Sequence, residues 1–455
     1  MGRLLKIPLS SGILGRSMIS GAAWTTGTFA YRYALRLLST VIVTRLLMPE
    51  AYGLMSLAMI FVTGLALLSD IGIAPSVIQS KRGEDEDFLR TAWTIKVLRG
   101  LFLGLMGCAI AWPAALIYDE PRLFGLICAL SMVPVLDGFM SMTQLIYERR
   151  IKLKALNLIE IASATFATAL TIFFAWQLET VWALVIGTLG GAGLRTICTY
   201  LFLPPFAHRL SWNRRDAIEI LTFGGWILLA TAAAFVATPG LVLIQGALVS
   251  ITVLGFITLA NTLAWAMGEL ISLILAKVLF PAMAEIARER PEELRAKVYK
   301  VLTIVYVGFL PLFLLLALVA QPLIDLLYDE RYAVVGDFLA IMSINSALMI
   351  MVAPYGNVIL AKGDARLHFQ LVAVAASLRI ISLVAGFYIA DAFGMIIGIG
   401  VGVIAYNIYI IHVAERHELG CLKRDYAVLV FWAALLFLVS YFVVTGSSYE
   451  ALQPL

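Results

Sequence analysis

Charged residues are scarce in this sequence, at 14% of 455 residues, whereas soluble domains carry about 25%. Hydrophobic residues make up 62%, and removing the long apolar runs leaves no segment as long as a soluble domain. We therefore expect a polytopic membrane protein. The net charge of +4 comes from basic residues spread over many short loops, which does not indicate a nucleic-acid partner.

Cysteine and histidine are also rare, with four residues of each. The cysteines are Cys108, Cys128, Cys198 and Cys421, and they have none of the spacings of a metal site or redox motif. No metal and no cofactor is therefore expected, and the cysteines in apolar segments are expected to pack. No cleavable signal peptide is expected either, and the first hydrophobic helix should act as an uncleaved insertion signal.

The long apolar runs predict membrane-spanning helices, because a span needs about 20 mostly apolar residues. The thirteen expected spans are 20–47, 51–79, 90–117, 122–147, 155–177, 180–204, 218–245, 249–281, 299–322, 334–361, 367–390, 393–413 and 426–445. They predict an all-α fold of two pseudo-symmetric six-helix lobes around a central cavity, plus an extra C-terminal helix. The predicted domains are an N-lobe (1–207), a cytoplasmic inter-lobe loop (208–217), a C-lobe (218–415), and the extra helix with its tail (416–455).

The second half of the chain repeats landmarks of the first half. At an offset of 202 residues Trp24, Gly53, Leu57 and Ala58 recur as Trp226, Gly255, Leu259 and Ala260; Tyr118-Asp119-Glu120 recurs at offset 210 as Tyr328-Asp329-Glu330; Gly187 and Gly191 recur at offset 211 as Gly398 and Gly402. Chance matching among small and apolar residues is the alternative, but the shared offsets favour duplication. Duplicated halves are the usual build of a transporter.

The distribution of basic residues predicts the orientation of the chain. With the N-terminus in the cytoplasm, most lysines and arginines fall in cytoplasmic loops, and only Arg45, Arg122 and Arg331 fall on the opposite side. An odd number of spans then places the C-terminus outside.

Several charged residues fall inside the expected spans. The cations are Arg32, Arg36, Lys96, Arg99, Arg195, Lys277 and Arg379, and the acids are Asp70, Asp137, Glu160 and Glu269. A charge that faces lipid at mid-depth costs about 2.5–3.5 kcal/mol, so most of them should face an aqueous cavity, the alternative being ion pairs between helices. Helical spacing places Thr25, Thr28 and Ser39 on the face of the two helix-one arginines, and places Lys96 beside Arg99. Lys277 should snorkel towards the cytoplasm.

The excess of cations predicts a cavity for an anionic substrate, because the planar guanidinium suits phosphate. The substrate-binding set is expected to be Arg32, Arg36, Lys96, Arg99, Arg195 and Arg379. The four acids Asp70, Asp137, Glu160 and Glu269 are expected to compensate these cations or to couple an ion. A polar stripe in the eighth span, which includes Asn261 and Trp265, should line the same cavity.

Two stretches resemble a known family. Arg45–Leu54 followed by Leu68–Gln79, and the counterpart Gly255–Ala260 with Val278–Pro281, are similar to the polysaccharide-transporter branch of the multidrug/oligosaccharidyl-lipid/polysaccharide exporter superfamily, which includes the Wzx-type flippases. The resemblance implies two facing lobes that move undecaprenyl-diphosphate-linked oligosaccharides across the bacterial inner membrane for O-antigen, capsule or exopolysaccharide synthesis. It implies that Arg32, Arg36, Lys96 and Arg99 meet the diphosphate or acidic sugars. This family commonly has an even number of helices, so an odd count departs from it.

Three other functions are weighed against this one. A multidrug cation antiporter of the same superfamily should have an acidic cavity, and a lipid II flippase should be essential for growth. A membrane-bound glycan polymerase or ligase should carry a large outer loop, whereas here the outer loops are short and His208, His368, His412 and His417 lie near the cytoplasmic side. We therefore expect a transporter and not an enzyme. Its expected partners are the lipid-linked oligosaccharide, membrane lipid and polysaccharide polymerase or assembly proteins, with no nucleic acid, and it should act as a monomer.

Overall fold

A computed structural model describes residues 13–80, 82–150, 152–237, 239–275 and 279–446. Within these ranges the secondary structure is helical and contains no β-strand. Helices suit this composition because a backbone in lipid must satisfy its N–H and C=O groups within the segment. The expected all-α, polytopic membrane fold is confirmed. Lys277 and Val278 lie outside the described residues.

The helices are numbered in chain order. They are α1 Ile13–Leu46, α2 Pro49–Leu68, α3 Ile73–Gln79, α4 Glu86–Ile117, α5 Arg122–Leu130, α6 Met132–Gly138, α7 Thr143–Arg149, α8 Leu153–Leu178, α9 Trp182–Leu201, α10 Arg214–Ala237, α11 Leu241–Leu248, α12 Ile251–Ala264, α13 Ala266–Ile274, α14 Phe280–Glu289, α15 Pro291–Ile304, α16 Leu310–Leu318, α17 Ala320–Leu327, α18 Val334–Met351, α19 Ala353–Ala361, α20 Ala365–Arg416 and α21 Leu422–Gly446. A π-helical turn, Val305–Phe309, joins α15 to α16.

Eight helices of the described chain are long and apolar enough to cross a membrane, and the number rises to ten if each of two bent pairs is one span. The predicted spans 367–390 and 393–413 both lie in α20, whose backbone leaves the helical region at Ala390 and Asp391. The spans predicted at 20–47 and 218–245 correspond to α1 and α10, which are not among these candidates. The count of thirteen therefore stays a prediction.

Three spans that were predicted as single helices are broken. Residues 51–79 divide into α2, which ends at Leu68, and α3, which begins after Gly72, an N-cap residue with a left-handed φ of 59°. The segment 122–147 bends by 66° before α7, and the segment 249–281 bends by 46° between α12 and α13. Trp265 lies at this second break, so the predicted polar stripe does not follow one straight helix.

The chain divides into two compact units. Unit 1 contains the described part of Met1–Leu47 together with Leu57–Ala232, and unit 2 contains Met48–Ser56 together with the described part of Ala233–Leu455. These units differ from the predicted lobes at residues 48–56 and 218–232. The two-lobe arrangement around a central cavity, and the predicted domain bounds, stay predictions.

The repeated glycines of α2 and α12 meet each other in unit 2. A Cβ atom added at Gly53 would lie 1.9 Å from the carbonyl oxygen of Ile251, and one added at Gly255 would lie 2.0 Å from the carbonyl oxygen of Pro49. Pro49 and Ile251 are separated by the same 202 residues as the two glycines. The 202-residue offset therefore converts each of these two contacts into the other, which supports duplication.

A second glycine contact occurs once in each unit. In unit 1, where α8 packs on α9, a Cβ atom at Gly187 would lie 1.8 Å from Thr171 Oγ1. In unit 2, where the two arms of α20 pack together, a Cβ atom at Gly398 would lie 2.1 Å from the carbonyl oxygen of Ser382. Both members of the contact are shifted by 211 residues. The same close helix approach, which small residues permit, is thus built twice.

A buried aspartate in the first turn of a helix also occurs once in each unit. Asp216 of α10 and Asp425 of α21 are both fully buried. Asp216 accepts a hydrogen bond from Arg82 Nη1 at 2.5 Å. Asp425 accepts from Tyr306, Tyr355, the Arg424 guanidinium and the Cys421 backbone N–H. A buried aspartate therefore links the start of α21 to other residues of unit 2, as a buried aspartate links the start of α10 to Arg82 of unit 1.

Candidate functional site

The first part of the site is one face of α1. Arg32 lies two turns beyond Trp24, and its guanidinium contacts the Glu160 carboxylate of α8 at 3.2 Å. The Arg32 side chain is 55% exposed although it is ion-paired, so it remains accessible to a ligand. Arg36 is exposed one turn further along α1.

Arg195 of α9 joins this pair to a second acid. Its Nη1 lies 3.4 Å from Glu160, and its Nη2 donates to Asp137 of α6. The result is a chain of alternating charges, Arg32–Glu160–Arg195–Asp137, that links four helices of unit 1. Two cations and two acids compensate each other in this chain, so it carries no net charge.

Lys96 of α4 is the cation beside this chain. Its ammonium group interacts electrostatically with Asp137, Glu148 and the two arginines Arg99 and Arg195. Within the described ranges it forms no hydrogen bond and no ion pair at contact distance. A partly buried ammonium without a fixed partner can bind an incoming anion without first breaking an ion pair.

Arg99 has a structural contact of its own. Its Nε donates to the Ser69 carbonyl at 2.9 Å and its Nη2 donates to the Ala66 carbonyl at 2.6 Å. These carbonyls lie at the C-terminal end of α2, where a cation favourably meets the helix dipole. Arg99 also lines an apolar cavity of about 370 Å³ together with Ser69 and Trp212.

Asp70 forms a turn beside Arg99. Its carboxylate accepts a hydrogen bond from the Gly72 N–H at 3.0 Å, and it lies close enough to Arg99 to interact electrostatically. Unit 1 therefore gathers five predicted cations and three predicted acids, namely Arg32, Arg36, Lys96, Arg99 and Arg195 with Asp70, Asp137 and Glu160. Among these eight residues the cations outnumber the acids by two.

The remaining predicted residues lie in unit 2. Arg379 is only 8% exposed and interacts electrostatically with Tyr406, both in α20. The Glu269 carboxylate forms no hydrogen bond or ion pair with any described residue. Asn261 is exposed on α12, and Trp265 lies at the break that follows. The roles assigned to these residues, as to those of unit 1, stay predictions.

The sequence reading missed the two buried aspartates, although a repeated tripeptide marks them. Arg214-Arg215-Asp216 and Lys423-Arg424-Asp425 share a basic–Arg–Asp pattern in the first turn of each helix. The hydrogen bond to Asp216 raises the pKa of the Arg82 guanidinium.

A ring cage around His208 was also missed. The imidazole lies 4.9 to 5.1 Å, between ring centroids, from Trp93, Tyr200 and Phe206. Its Nε2 accepts a hydrogen bond from the Met142 N–H at 3.2 Å, so this nitrogen is unprotonated. Burial lowers the pKa of His208, and the imidazole is therefore a neutral structural group.

The chain resembles proteins of polysaccharide synthesis. A model of the family described as polysaccharide biosynthesis protein matches residues 42–336. The chain is 24% identical over 424 residues to the lipopolysaccharide biosynthesis protein WzxC of Escherichia coli strain K12, covering 92% of this chain and 85% of that protein. It is 23% identical over 295 residues to the amylovoran biosynthesis protein AmsL of Erwinia amylovora, covering 64% and 76% respectively.

Solved structures of membrane transporters share the fold. The lipid II flippase MurJ in an inward closed conformation gives a TM-score of 0.68 at 13% identity, covering 95% of this chain and 99% of that chain. An inward-facing multidrug resistance MATE transporter of the MOP superfamily gives 0.58 at 14% identity, covering 92% and 96%.

Proposed function

The chain belongs to the polysaccharide biosynthesis protein family, and on this premise we propose that it is a flippase for lipid-diphosphate-linked oligosaccharides. The predicted resemblance to polysaccharide transporters of the MOP superfamily is confirmed. The family and the fold are those of multi-pass membrane transporters and not of enzymes. The cargo that fits both premises is an undecaprenyl-diphosphate oligosaccharide, moved from the cytoplasmic to the periplasmic leaflet of the bacterial inner membrane for O-antigen, capsule or exopolysaccharide synthesis.

The observation that carries the proposal is that Lys96, beside a neutral charge chain, forms no hydrogen bond or ion pair at contact distance with any described residue. A diphosphate needs several N–H donors in a desolvated setting, and Lys96 offers three donors that no described acid occupies. Arg32 and Arg36 supply exposed guanidinium groups for the same anion. The acids Glu160 and Asp137 hold Arg195 in place and keep the site from trapping the cargo.

The transport step needs no covalent chemistry. We propose that the diphosphate binds at Lys96, Arg32 and Arg36 from the cytoplasmic leaflet, that the sugars follow it, and that the polyprenyl chain stays in lipid. Access then alternates to the periplasmic leaflet. The protein acts as a monomer with its N-terminus in the cytoplasm, and passes its cargo to polysaccharide polymerase and assembly proteins.

A clean deletion strain tests the function. We expect the lipid fraction to accumulate undecaprenyl-diphosphate oligosaccharide while a surface polysaccharide is lost, and we expect the wild-type gene to restore both. Normal polymer together with altered drug sensitivity would favour a multidrug antiporter. Loss of viability would favour a lipid II flippase.

The site is tested by Lys96→Gln in the complemented strain. Removing one charged hydrogen-bond donor to the diphosphate should lower export about tenfold or more, while Lys96→Arg should retain most of it. Lys362→Gln changes an exposed lysine and serves as the control. Full export by a Lys96→Gln protein at wild-type abundance would remove Lys96 from the path.

A further inference from the structure

A small cavity between α1 and α8 lies beside the charged face of α1. It has a volume of about 240 Å³ and is lined by Trp24, Gly27, Thr28 and Ile161. The three α1 residues share a face because they are spaced by three and four positions, and the next position on this face is Arg32. Ile161 directly follows Glu160, the partner of Arg32. The cavity therefore lies about one helical turn from Arg32 along α1.

Thr28 gives this cavity a polar group. The residue is only 5% exposed, and its Oγ1 has no hydrogen-bond partner among the described residues. A threonine within a helix commonly satisfies its hydroxyl on a carbonyl of the preceding turn, as Thr40 does on Arg36. A buried hydroxyl without a partner is unfavourable, so the site is suited to a ligand that carries hydrogen-bonding groups.

Trp24 lines the cavity with an aromatic side chain. The Lys154 ammonium lies 5.5 Å from the centroid of the indole ring, a cation–π contact that holds the ring in place. Lys154 is exposed and forms no ion pair within the described ranges. The cavity is thus lined by an indole ring and by a hydroxyl that has no partner among the described residues.

We propose that this cavity is a subsite for one sugar ring of the cargo. A pyranose ring has a face of C–H bonds that packs on an aromatic ring such as that of Trp24, and a rim of hydroxyls that can form a hydrogen bond with the Thr28 hydroxyl. The volume is smaller than the roughly 300–1,000 Å³ of sites for drug-sized ligands, which suits one ring and not a whole oligosaccharide.

The position along α1 supports this assignment. The inference rests on the proposed function, because it takes the diphosphate to bind at Arg32. Trp24 lies eight residues before Arg32, which is about 12 Å along a helix axis. The sugars attached to a diphosphate at Arg32 lie within that reach. The subsite therefore binds a sugar of the glycan, while the cations bind the diphosphate.

Gly27 provides the test, because it can be enlarged without strain. A Cβ atom added at Gly27 would meet nothing within 4 Å, and the same holds for Gly193 of α9, which lies outside the cavity. Gly27→Leu should fill the cavity, and Gly193→Leu is the matched control. Trp24→Leu is a second variant, which removes the aromatic side chain and leaves space.

Equilibrium binding in nanodiscs separates sugar from anion recognition. The probes are the undecaprenyl-diphosphate oligosaccharide isolated from the deletion strain and farnesyl diphosphate, which has no sugar. We expect Gly27→Leu and Trp24→Leu to weaken binding of the sugar-bearing lipid about tenfold and to leave farnesyl diphosphate binding and the Gly193→Leu control unchanged.

If the two variants weaken the binding of both probes equally, or weaken the binding of neither, the subsite proposal is overturned while the flippase function stands. If the deletion strain accumulates no lipid-linked oligosaccharide, the proposed function itself fails. A binding loss confined to the sugar-bearing probe supports both proposals.

Discussion

The helix pair α8–α9 of unit 1 and the two arms of α20 in unit 2 have the same packing and different chemistry. In each pair a glycine approaches a residue of the partner helix at the same 211-residue offset. Yet the positions equivalent to Glu160 and Arg195 are Leu371 and Tyr406. At the 210-residue offset of the tyrosine landmark, the position of Asp137 is taken by the buried Ala347.

This difference indicates what was kept after duplication and what changed. The close helix approach is a requirement of packing, and it is present twice. Among the described residues the charge chain occurs in unit 1, and the unit 2 positions equivalent to Glu160, Arg195 and Asp137 are apolar or aromatic. Charges within spanning helices are expensive and are retained where they act. Unit 1 is therefore the better candidate for anion recognition.

The largest loss of stability is expected when the close glycine contact shared by the two helix pairs is disrupted. Gly398→Ala places a Cβ atom 2.1 Å from a backbone carbonyl oxygen, whereas at Gly187 the nearest atom is the Thr171 hydroxyl and the Ala167 carbonyl oxygen lies further away, at 2.9 Å. A side chain can turn away and a helix backbone cannot, so Gly398→Ala should destabilise unit 2 by about 3 kcal/mol and Gly187→Ala should destabilise unit 1 less. Thermal unfolding in detergent measures both.

Gly193→Ala is the control for this pair, because its Cβ atom meets nothing within 4 Å. Equal unfolding midpoints for wild type and Gly398→Ala would contradict the close approach of the two arms of α20.

The next largest loss of stability is expected when the buried aspartates are replaced. Asp425→Ala removes an acceptor shared by two tyrosines and Arg424, and should destabilise the protein by about 3 kcal/mol because buried donors lose their partner. Asp216→Ala removes one bond to the partly exposed Arg82 and should have a smaller effect, about 1 kcal/mol. If the order of the two unfolding midpoints is reversed, α21 is not an integral part of unit 2.

Much of this architecture follows from sequence, because the information is local. Apolar runs predict spans, and the spacing of Arg32 and Arg36 predicts a shared face. The break at Trp265 was not predicted, because a bend changes a few dihedral angles and leaves hydropathy unaltered.

The partners of the charges could not be predicted from sequence. Glu160 lies far from Arg32 along the chain and meets it only because α1 packs on α8. The capping of α2 by Arg99 likewise depends on where a helix ends. Composition gives the number of cations in the spans, but only packing determines that Arg195 is compensated while Lys96 has no fixed partner.

The charge chain is tested by giving unit 1 the residues of unit 2. Arg195→Tyr alone should destabilise the protein by about 2 kcal/mol, because it leaves Asp137 and Glu160 without their common partner. The triple variant Asp137→Ala, Glu160→Leu and Arg195→Tyr should recover most of this stability, because no acid of the network is then left without its cation. Export by the triple variant should nevertheless be lower than that of the wild type, since Arg32 loses its partner and Lys96 loses its neighbouring charges.

Export of surface polysaccharide and the unfolding midpoint are measured on the same preparations. A triple variant that exports at the wild-type rate would show that the chain only stabilises helix packing, and would remove the functional meaning of the difference between the units.

The smallest effect concerns the ring cage of unit 1. Because burial holds the pKa of His208 below its usual value of 6.5, the unfolded chain binds a proton more readily than the folded one, and stability should fall as the pH drops below about 6.5. Lys96 is the charged group that faces the imidazole, and it opposes protonation further. His208→Gln keeps an acceptor for the Met142 N–H but cannot titrate. Its unfolding midpoint should therefore change less than that of the wild type between pH 7.5 and 5.5, whereas parallel pH profiles would mean that carboxylates elsewhere set the acid sensitivity.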